Sequence, residues 1–342
     1  MKNSRFQEIT NCYSQLSVAV IGDYCLDRYL EIDPNRTEVS IETGLDVFNV
    51  KNIRSQPGGC GTVLNNLISL GCDNLFPVGF VGQDGEGYEL LMNLQGNKSV
   101  NLNYFLQTSE RRTFTYCKPL IVDGFGVPRE LNRFDTKNWT DTPEAVQLDL
   151  ASSVTQLAKQ VDVIVLLSQV DRSGTGVLCG RVLEALHQVR KDYPELLIIA
   201  DSRSGFAHFP NVCLKMNREE FLLMIGATGK LTISELMRQI SILSDQTGQG
   251  VFVSLSEEGI AGAFPGFVAD HVEGFPCRGE IDVVGAGDAV MANLALALAA
   301  NGTAAESMRI AMAAASVVVK KLGTTGVATQ NEIANILIND DL

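Results

Sequence analysis

The sequence holds one Trp and three His in 342 residues. His187, His208 and His271 stand far apart and form no H-E-x-x-H, so no histidine-built zinc motif is present. The eight cysteines (Cys12, Cys25, Cys60, Cys72, Cys117, Cys179, Cys213 and Cys277) include no C-x-x-C pair and are expected to be reduced and mostly buried. Basic residues are scarce: 27 Lys and Arg face 40 Asp and Glu, a formal net charge of −13. That balance argues against a broad basic face for nucleic acid. It leaves room for a local anion site, because a cleft can gather a few cations inside an acidic shell. No apolar run reaches the length of a membrane span; the longest, Val290 to Ala300, is short and carries Asn293. The first ten residues are polar and of mixed charge, without an apolar core, so no secretion signal is expected. The expected location is the cytoplasm, with no membrane partner.

What is present is an ordinary globular composition, 45% hydrophobic and 20% charged, long enough for one large domain over residues 1–342. Ser17 to Gly22 is apolar, β-branched and closed by glycine, the pattern of a buried strand. Val161 to Leu167, Leu196 to Ala200 and Gly250 to Leu255 read the same way. Helical patterns alternate with them: Gly61–Leu70, Thr142–Lys159, Gly176–Lys191, Arg218–Ile225 and Ile233–Leu243, followed by Ala286–Ala300 and Thr303–Lys321. Such alternation predicts an α/β fold with a parallel sheet and helices on both faces. Two intervals, about 29–53 and 111–135, lack helical patterning and alternate polar with apolar residues. They predict a small antiparallel sheet projecting from the main body, or two surface hairpins.

Chemistry concentrates at a few turns. In Asp282-Val283-Val284-Gly285-Ala286-Gly287-Asp288 small residues precede an apolar helix. Unpaired N–H groups at a helix start can form an anion hole, and Asp288 in the first turn suits a general base. The same segment also fits close packing with Asp288 as a helix cap. The first strand ends at Gly22-Asp23, with Asp27 beyond, where open parallel sheets bind ligands. Gly58 and Gly59 precede a helix carrying Asn66, and fit either backbone approach to a ligand or a tight turn. Asp84, within Val81-Gly82-Gln83-Asp84-Gly85-Glu86-Gly87, could serve only to cap the next helix. Asn217-Arg218-Glu219-Glu220 has the spacing of a capping box.

Taken together and in this order, these stretches, with Ser256-Glu257-Glu258-Gly259, resemble the ribokinase (PfkB) family of carbohydrate kinases from about Val18 to Thr329. Gly22 to Tyr29, Leu131-Asn132-Arg133-Phe134-Asp135 and Val317 to Thr324 are most similar to the kinase domain of bacterial heptose-7-phosphate kinases. The nucleotidyltransferase domain often fused to those kinases is not expected here. The resemblance implies a ribokinase-like three-layer sandwich whose small β-sheet lid covers the sugar. It implies Asp288 as base, with Gly285, Ala286 and Gly287 as the anion hole. Asn217 and Glu220 would organise Mg²⁺ through water, and ATP would lie near them and near Ser254, Ser256 and Gly259. The sugar would lie near Asp23, Asp27, Gly58, Gly59 and Asn66, with Arg133 and Asp135 reaching in from the lid. A monovalent cation such as K⁺ and a homodimer through the lid, around Val47, Phe48 and Val50, belong to the same expectation.

The chain departs from the family pattern around the ligands. Thr62 stands where the heptose kinases have Asn, Gln169 where they have Asp, and Ser202-Arg203 follows Asp201 in place of Pro-Lys. Asp171-Arg172-Ser173 lacks an expected Lys; Met312 replaces Asn and Val283 replaces Thr. These changes leave the acceptor open among sugars, sugar phosphates and nucleosides, and leave a catalytically degenerate binding protein as the rival reading. Arg111, Arg112, Arg133, Arg172 and Arg203 are candidates to clamp a substrate phosphate, or are solvated surface charges. Gly226-Ala227-Thr228-Gly229-Lys230-Leu231 lacks the P-loop spacing, and strand one lacks the G-x-G-x-x-G of a dinucleotide site.

Overall fold

A strand such as Ser17–Gly22 has no polar face, so it is stable only where both sides are covered. The computed structural model, which describes residues 1–122, 128–227 and 229–340, provides that setting. Eight strands form the central sheet in the order Asp270–Val272, Ile260–Ala263, Val251–Ser254, Cys213–Asn217, Leu197–Ser202, Val163–Ser168, Ser17–Gly22 and Asn74–Val78. The last six are parallel; at one edge Ile260–Ala263 runs against them and pairs antiparallel with both of its neighbours. Successive side chains point to opposite faces. Val18 and Val20 join one core cluster with the helices Cys60–Ser69, Ala286–Ala299 and Ala304–Val318. Ala19 and Ile21 join the other, under Glu144–Leu157, Gly180–Asp192 and Ile233–Thr247.

The antiparallel edge and Cys213–Asn217 escape the sequence patterns. Ile260-Ala261-Gly262-Ala263 is built of small residues, and Lys215 interrupts an otherwise apolar strand. Helices also form at Asn3–Thr10, Gly85–Gln95 and Gln330–Asp340. Among the described residues no helix is long and apolar enough to cross a membrane.

The chain leaves the central sheet at Gly22, whose φ is +148°. A Cβ there would stand 2.0 Å from the Leu167 carbonyl oxygen, so only glycine fits. Beyond it a second sheet forms from Tyr24–Val39, Asp46–Gly59, Phe114–Ile121, Arg129–Glu130 and Phe134–Thr136. The intervals 29–53 and 111–135 fall here, except 123–127, which lie outside the described residues, as does Thr228 of the Gly226–Leu231 run. The sheet is mixed where an antiparallel one was expected: Tyr24–Val39 pairs in parallel with Phe114–Ile121. Both strands set out from the core, where Cys25 and Phe114 are buried in the same cluster, so they run outward together.

Ion pairs fasten the root of this sheet to helix Gly85–Gln95. Arg28 meets Glu86 at 3.3 Å and also Glu89, which accepts from Ser55 as well. Asp84 caps that helix through the Gly87 N–H at 2.8 Å and accepts from the Thr113 N–H and hydroxyl at 3.0 and 2.7 Å.

Candidate active site

The parallel strands all end on one edge of the sheet, and the turns that follow them surround a cavity of about 480 Å³. Asp27, Gly59, Arg133, Asp135, Asn217, Glu220, Gly285, Gly287 and Asp288 line it, nine of the residues singled out from sequence. Thr62, Gln169, Arg203 and Val283, four of the departures from the family pattern, line it too. Asp23, Gly58, Asn66, Ser254, Ser256, Gly259 and Ala286 are not part of its wall.

Each of those seven has another place. The buried Asp23 carboxylate accepts from the backbone N–H groups of Gln169, Val170 and Val177 at 2.8, 3.3 and 2.8 Å, and so holds the loop after Val163–Ser168. Burial pushes its pKa up, against those three bonds. Gly58 passes so close to Asp27 that a Cβ would lie 2.7 Å from Oδ2. Asn66 is buried and donates to the Thr62 carbonyl at 2.9 Å, leaving Oδ1 without a partner. Ser254 lies beside Asn217 in the sheet and donates to the Met216 carbonyl at 3.3 Å. Ser256 and Gly259 take positive φ in the turn that follows, where Gly259 abuts the Val272 carbonyl. The Ala286 N–H bonds the Val283 carbonyl at 3.2 Å and closes the turn into the helix.

Gly285 starts helix Ala286–Ala299 at φ +82°, and no side chain caps the helix. Asp288 is therefore not the cap. The N–H groups of Gly287 and Asp288 belong to a first turn, which has no preceding helical carbonyls to bond. They carry the positive end of the helix dipole at the cavity floor. Asp288 is partly exposed there, and its pKa is raised to about 7 by desolvation and by the nearby Asp201. Lys215 and Arg203 pull the other way. Asn217 and Glu220 do form the capping box: the Glu220 N–H donates to Asn217 Oδ1 and the Asn217 N–H to Glu220 Oε2, both at 2.8 Å. This leaves Glu220 Oε1 free beside the cavity.

Lys215 is one of the lining residues that sequence patterning missed, with Lys118 and Tyr116. It is 4% exposed, and its ammonium pairs with Asp201 at 2.7 Å. Burial disfavours its charge, but Asp201, Asp288 and Glu220 outweigh that and hold its pKa above the usual lysine value. Nζ lies 3.4 Å from where a Gly287 Cβ would stand, so a fixed cation borders the helix start. The only sequence signal was a lysine inside an apolar strand, two residues before the Asn217-x-x-Glu220 turn.

Cations also line the opposite wall. Lys118 sits 3.7 Å from Asp27, whose pKa is raised by burial against the pull of Lys118 and Arg133. Arg133 pairs with Asp135 at 3.1 Å and covers the Tyr116 ring at 5.1 Å. Lys137 reaches the same ring and pairs with Asp171 at 2.7 Å. Of the five candidate arginines, only Arg133 and Arg203 line the cavity. Arg111 is buried and donates to the Thr140 and Thr175 carbonyls at 2.7 and 2.9 Å. Arg112 faces Asp84 at 3.4 Å, and Arg172 donates to the Trp139 carbonyl at 3.0 Å. A second groove, lined by Arg54, Ser55, Tyr88, Glu89 and Met92, is shallow, and the Ser55 hydroxyl and Glu89 carboxylate in it are already paired.

The signature described as pfkB family carbohydrate kinase matches residues 16–331. Bifunctional protein HldE of Bradyrhizobium sp. (strain ORS 278) is 29% identical over 330 residues, covering 95% of this chain; the chain spans 64% of that relative's length. Phosphofructokinase-2 from Escherichia coli in complex with potassium superposes with a TM-score of 0.71 at 18% identity, over 96% of this chain and all of that one. Arabidopsis thaliana ribokinase complexed with ribose and ATP superposes with a TM-score of 0.65 at 19% identity, over 94% of this chain and 98% of that one. At these identities the two structures show the shared fold.

The raised pKa of Asp288 makes its charge a cost to folding. The cost is absent below the unfolded-state value of about 4, grows as pH rises, and is complete above about 7. Asp288→Asn should therefore raise the melting temperature, and by more at pH 8 than at pH 5, in thermal scans of both proteins. An equal gain at the two pH values would contradict the assignment.

Proposed function

The chain belongs to the pfkB family of carbohydrate kinases, and from that premise we propose that it transfers the γ-phosphoryl group of ATP to a hydroxyl of a sugar or sugar phosphate. The observation that carries this reading is the single cavity on which Asp288, the start of helix Ala286–Ala299 and Lys215 converge. Asp288 accepts the proton of the attacking hydroxyl, a role suited to a base with a pKa near 7. The N–H groups at the helix start and the Lys215 ammonium face the charge that spreads over the transferred group, without needing to reorganise.

The residues present fit Mg²⁺·ATP. Among the described residues no three His, Cys, Asp or Glu side chains gather tightly enough to hold a metal by themselves. A sparse donor set suits Mg²⁺, which keeps waters and takes phosphate oxygens as ligands. Glu220, through its free oxygen, and Asn217 would hold it; when bound, the ion supplies charge neutralisation between the phosphates. Ser254, Ser256 and Gly259, at the neighbouring strand end, would border the nucleotide. A monovalent cation such as K⁺ belongs to the same reading.

On the acceptor side, Asp27 and Asp135 offer hydrogen-bond acceptors to sugar hydroxyls, and Gly59 allows close approach. Arg203 has no ion pair among the described residues, and with Arg133, Lys137 and Lys118, each beside a carboxylate, it offers donors to a phosphate already on the sugar, which favours a sugar phosphate such as a heptose 7-phosphate. We assign the second sheet the role of a lid over this acceptor. All eight cysteines are free, which fits the reducing cytoplasm.

An ADP-release screen with ATP·Mg²⁺ against sugars, sugar phosphates and nucleosides tests the reading. At least one sugar phosphate should drive release, faster in K⁺ than in tetramethylammonium, and Asp288→Asn should lower turnover by several orders of magnitude while keeping most acceptor binding. Unchanged turnover in that variant would remove Asp288 as the base. Sugar binding without release would favour the degenerate binding protein, and release by nucleosides alone would move the acceptor class.

The outer end of the lid exposes Val39, Ile41, Leu45, Phe48 and Val50, a patch that suits a second copy of the chain. Sedimentation should show a dimer that Phe48→Asp dissociates. A monomeric parent protein would refute this interface.

A further inference from the structure

One polar link joins the lid to the anion hole. Gln56 lies in strand Asp46–Gly59, directly opposite Asp27. Its side-chain carbonyl accepts from the Thr324 hydroxyl at 3.0 Å, and its amide donates to the Thr325 hydroxyl. These contacts span 268 and 269 residues of sequence. Thr325 lines the cavity and packs on Gly285: a Cβ at Gly285 would stand 3.3 Å from Thr325 Cβ. Two residues earlier on the same face, Arg54 reaches the Gly323 carbonyl at 3.4 Å while paired with Glu31 at 2.7 Å. Gly323 in turn donates to Asp282 at 3.1 Å, in the segment leading into Gly285.

The turn at 323–325 is thus held from two sides, by Asp282 and by the lid strand. Gly285 has no side chain and a positive φ, so its own conformation does little to fix the start of the helix. What packs against it does. We propose that Gln56 is a positioning residue that seats Thr324 and Thr325 against Gly285, so that the anion-hole backbone is set by the strand opposite Asp27. Acceptor-side and phosphoryl-side geometry are then one mechanical unit. This rests on the kinase reading only for its consequence in turnover; the coupling itself is a property of the protein without ligands.

Gln56→Leu removes both hydrogen bonds at similar volume, whereas Gln56→Glu retains two acceptors for the two threonine hydroxyls. Hydrogen–deuterium exchange of the unliganded chain is the primary readout. Gln56→Leu should speed exchange about tenfold in 319–329 and in 282–288, with the strands of the central sheet unchanged, and Gln56→Glu should restore the slow rate. With an acceptor from the ADP-release screen, Gln56→Leu should lower kcat about tenfold or more with little change in the KM for ATP. Combining it with Thr325→Val should add almost nothing, because both act through one contact. Unchanged exchange in both segments would overturn the coupling, as would a uniform rise across the whole chain. Faster local exchange with unaltered kcat would overturn the positioning role. If no acceptor drives ADP release, the kinase reading fails while the exchange result still decides the coupling.

Discussion

Five carboxylates, Asp27, Asp135, Asp201, Glu220 and Asp288, line one cavity in a chain of net charge −13, and their mutual repulsion is the constraint the site is built around. Desolvation raises the pKa of Asp27, Glu220 and Asp288 alike. The protein answers with buried cations. Lys215 is held by Asp201 in a pair whose disruption leaves an unpaired charge, an effect typically costing about 3–5 kcal/mol. A pair of that kind is weak evidence for stability. On the proposed reading it is a fixed charge where a phosphoryl group would pass. Asp288 alone of the five has neither a hydrogen bond nor an ion pair to its carboxylate among the described residues, which keeps it available for a proton.

The topology makes this gathering possible at low cost. Parallel strands bring their carboxyl ends to one edge, so Asp201, Asn217 and the loop after Ser168 meet without long excursions. Gly22 turns the chain out of that edge and into the second sheet, which carries Asp27, Lys118, Arg133 and Asp135 back over the cavity. Arg28, Glu86 and Glu89 anchor the root of that sheet, while Gln56 touches the turn beside Gly285. Strand Asp46–Gly59 therefore borders both the Asp27 side and the Gly285 side of the cavity.

The buried strands were legible because Val, Ile and Leu runs have few other uses at that length, and Ser17–Gly22 lies where the pattern puts it. The glycine turn was legible as a helix start, but not as an uncapped one; only the geometry separates Asp288 from a cap. Lys215, Lys118 and Tyr116 were not legible. Each sits in a strand, and whether a lysine on a strand faces water or a cavity depends on distant elements that cover it. Arg111 shows the converse: it read as a phosphate ligand or a solvated surface charge, yet it is buried and its guanidinium is spent on loop carbonyls. The second sheet was one of two readings of the alternation, beside two surface hairpins, and its parallel pair was not foreseen, since strand direction follows from where both segments leave the core.

The central claim is that Asp288 is the base and that its surroundings, not its chemistry alone, set its pKa. The pH dependence of kcat/KM for the acceptor tests this most directly. The account predicts a limb of unit slope that falls on the acid side with an apparent pKa near 7, and that shifts upward in Lys215→Met, where a charge favouring the carboxylate is lost. A limb near pH 4, or one unmoved by that substitution, would contradict it.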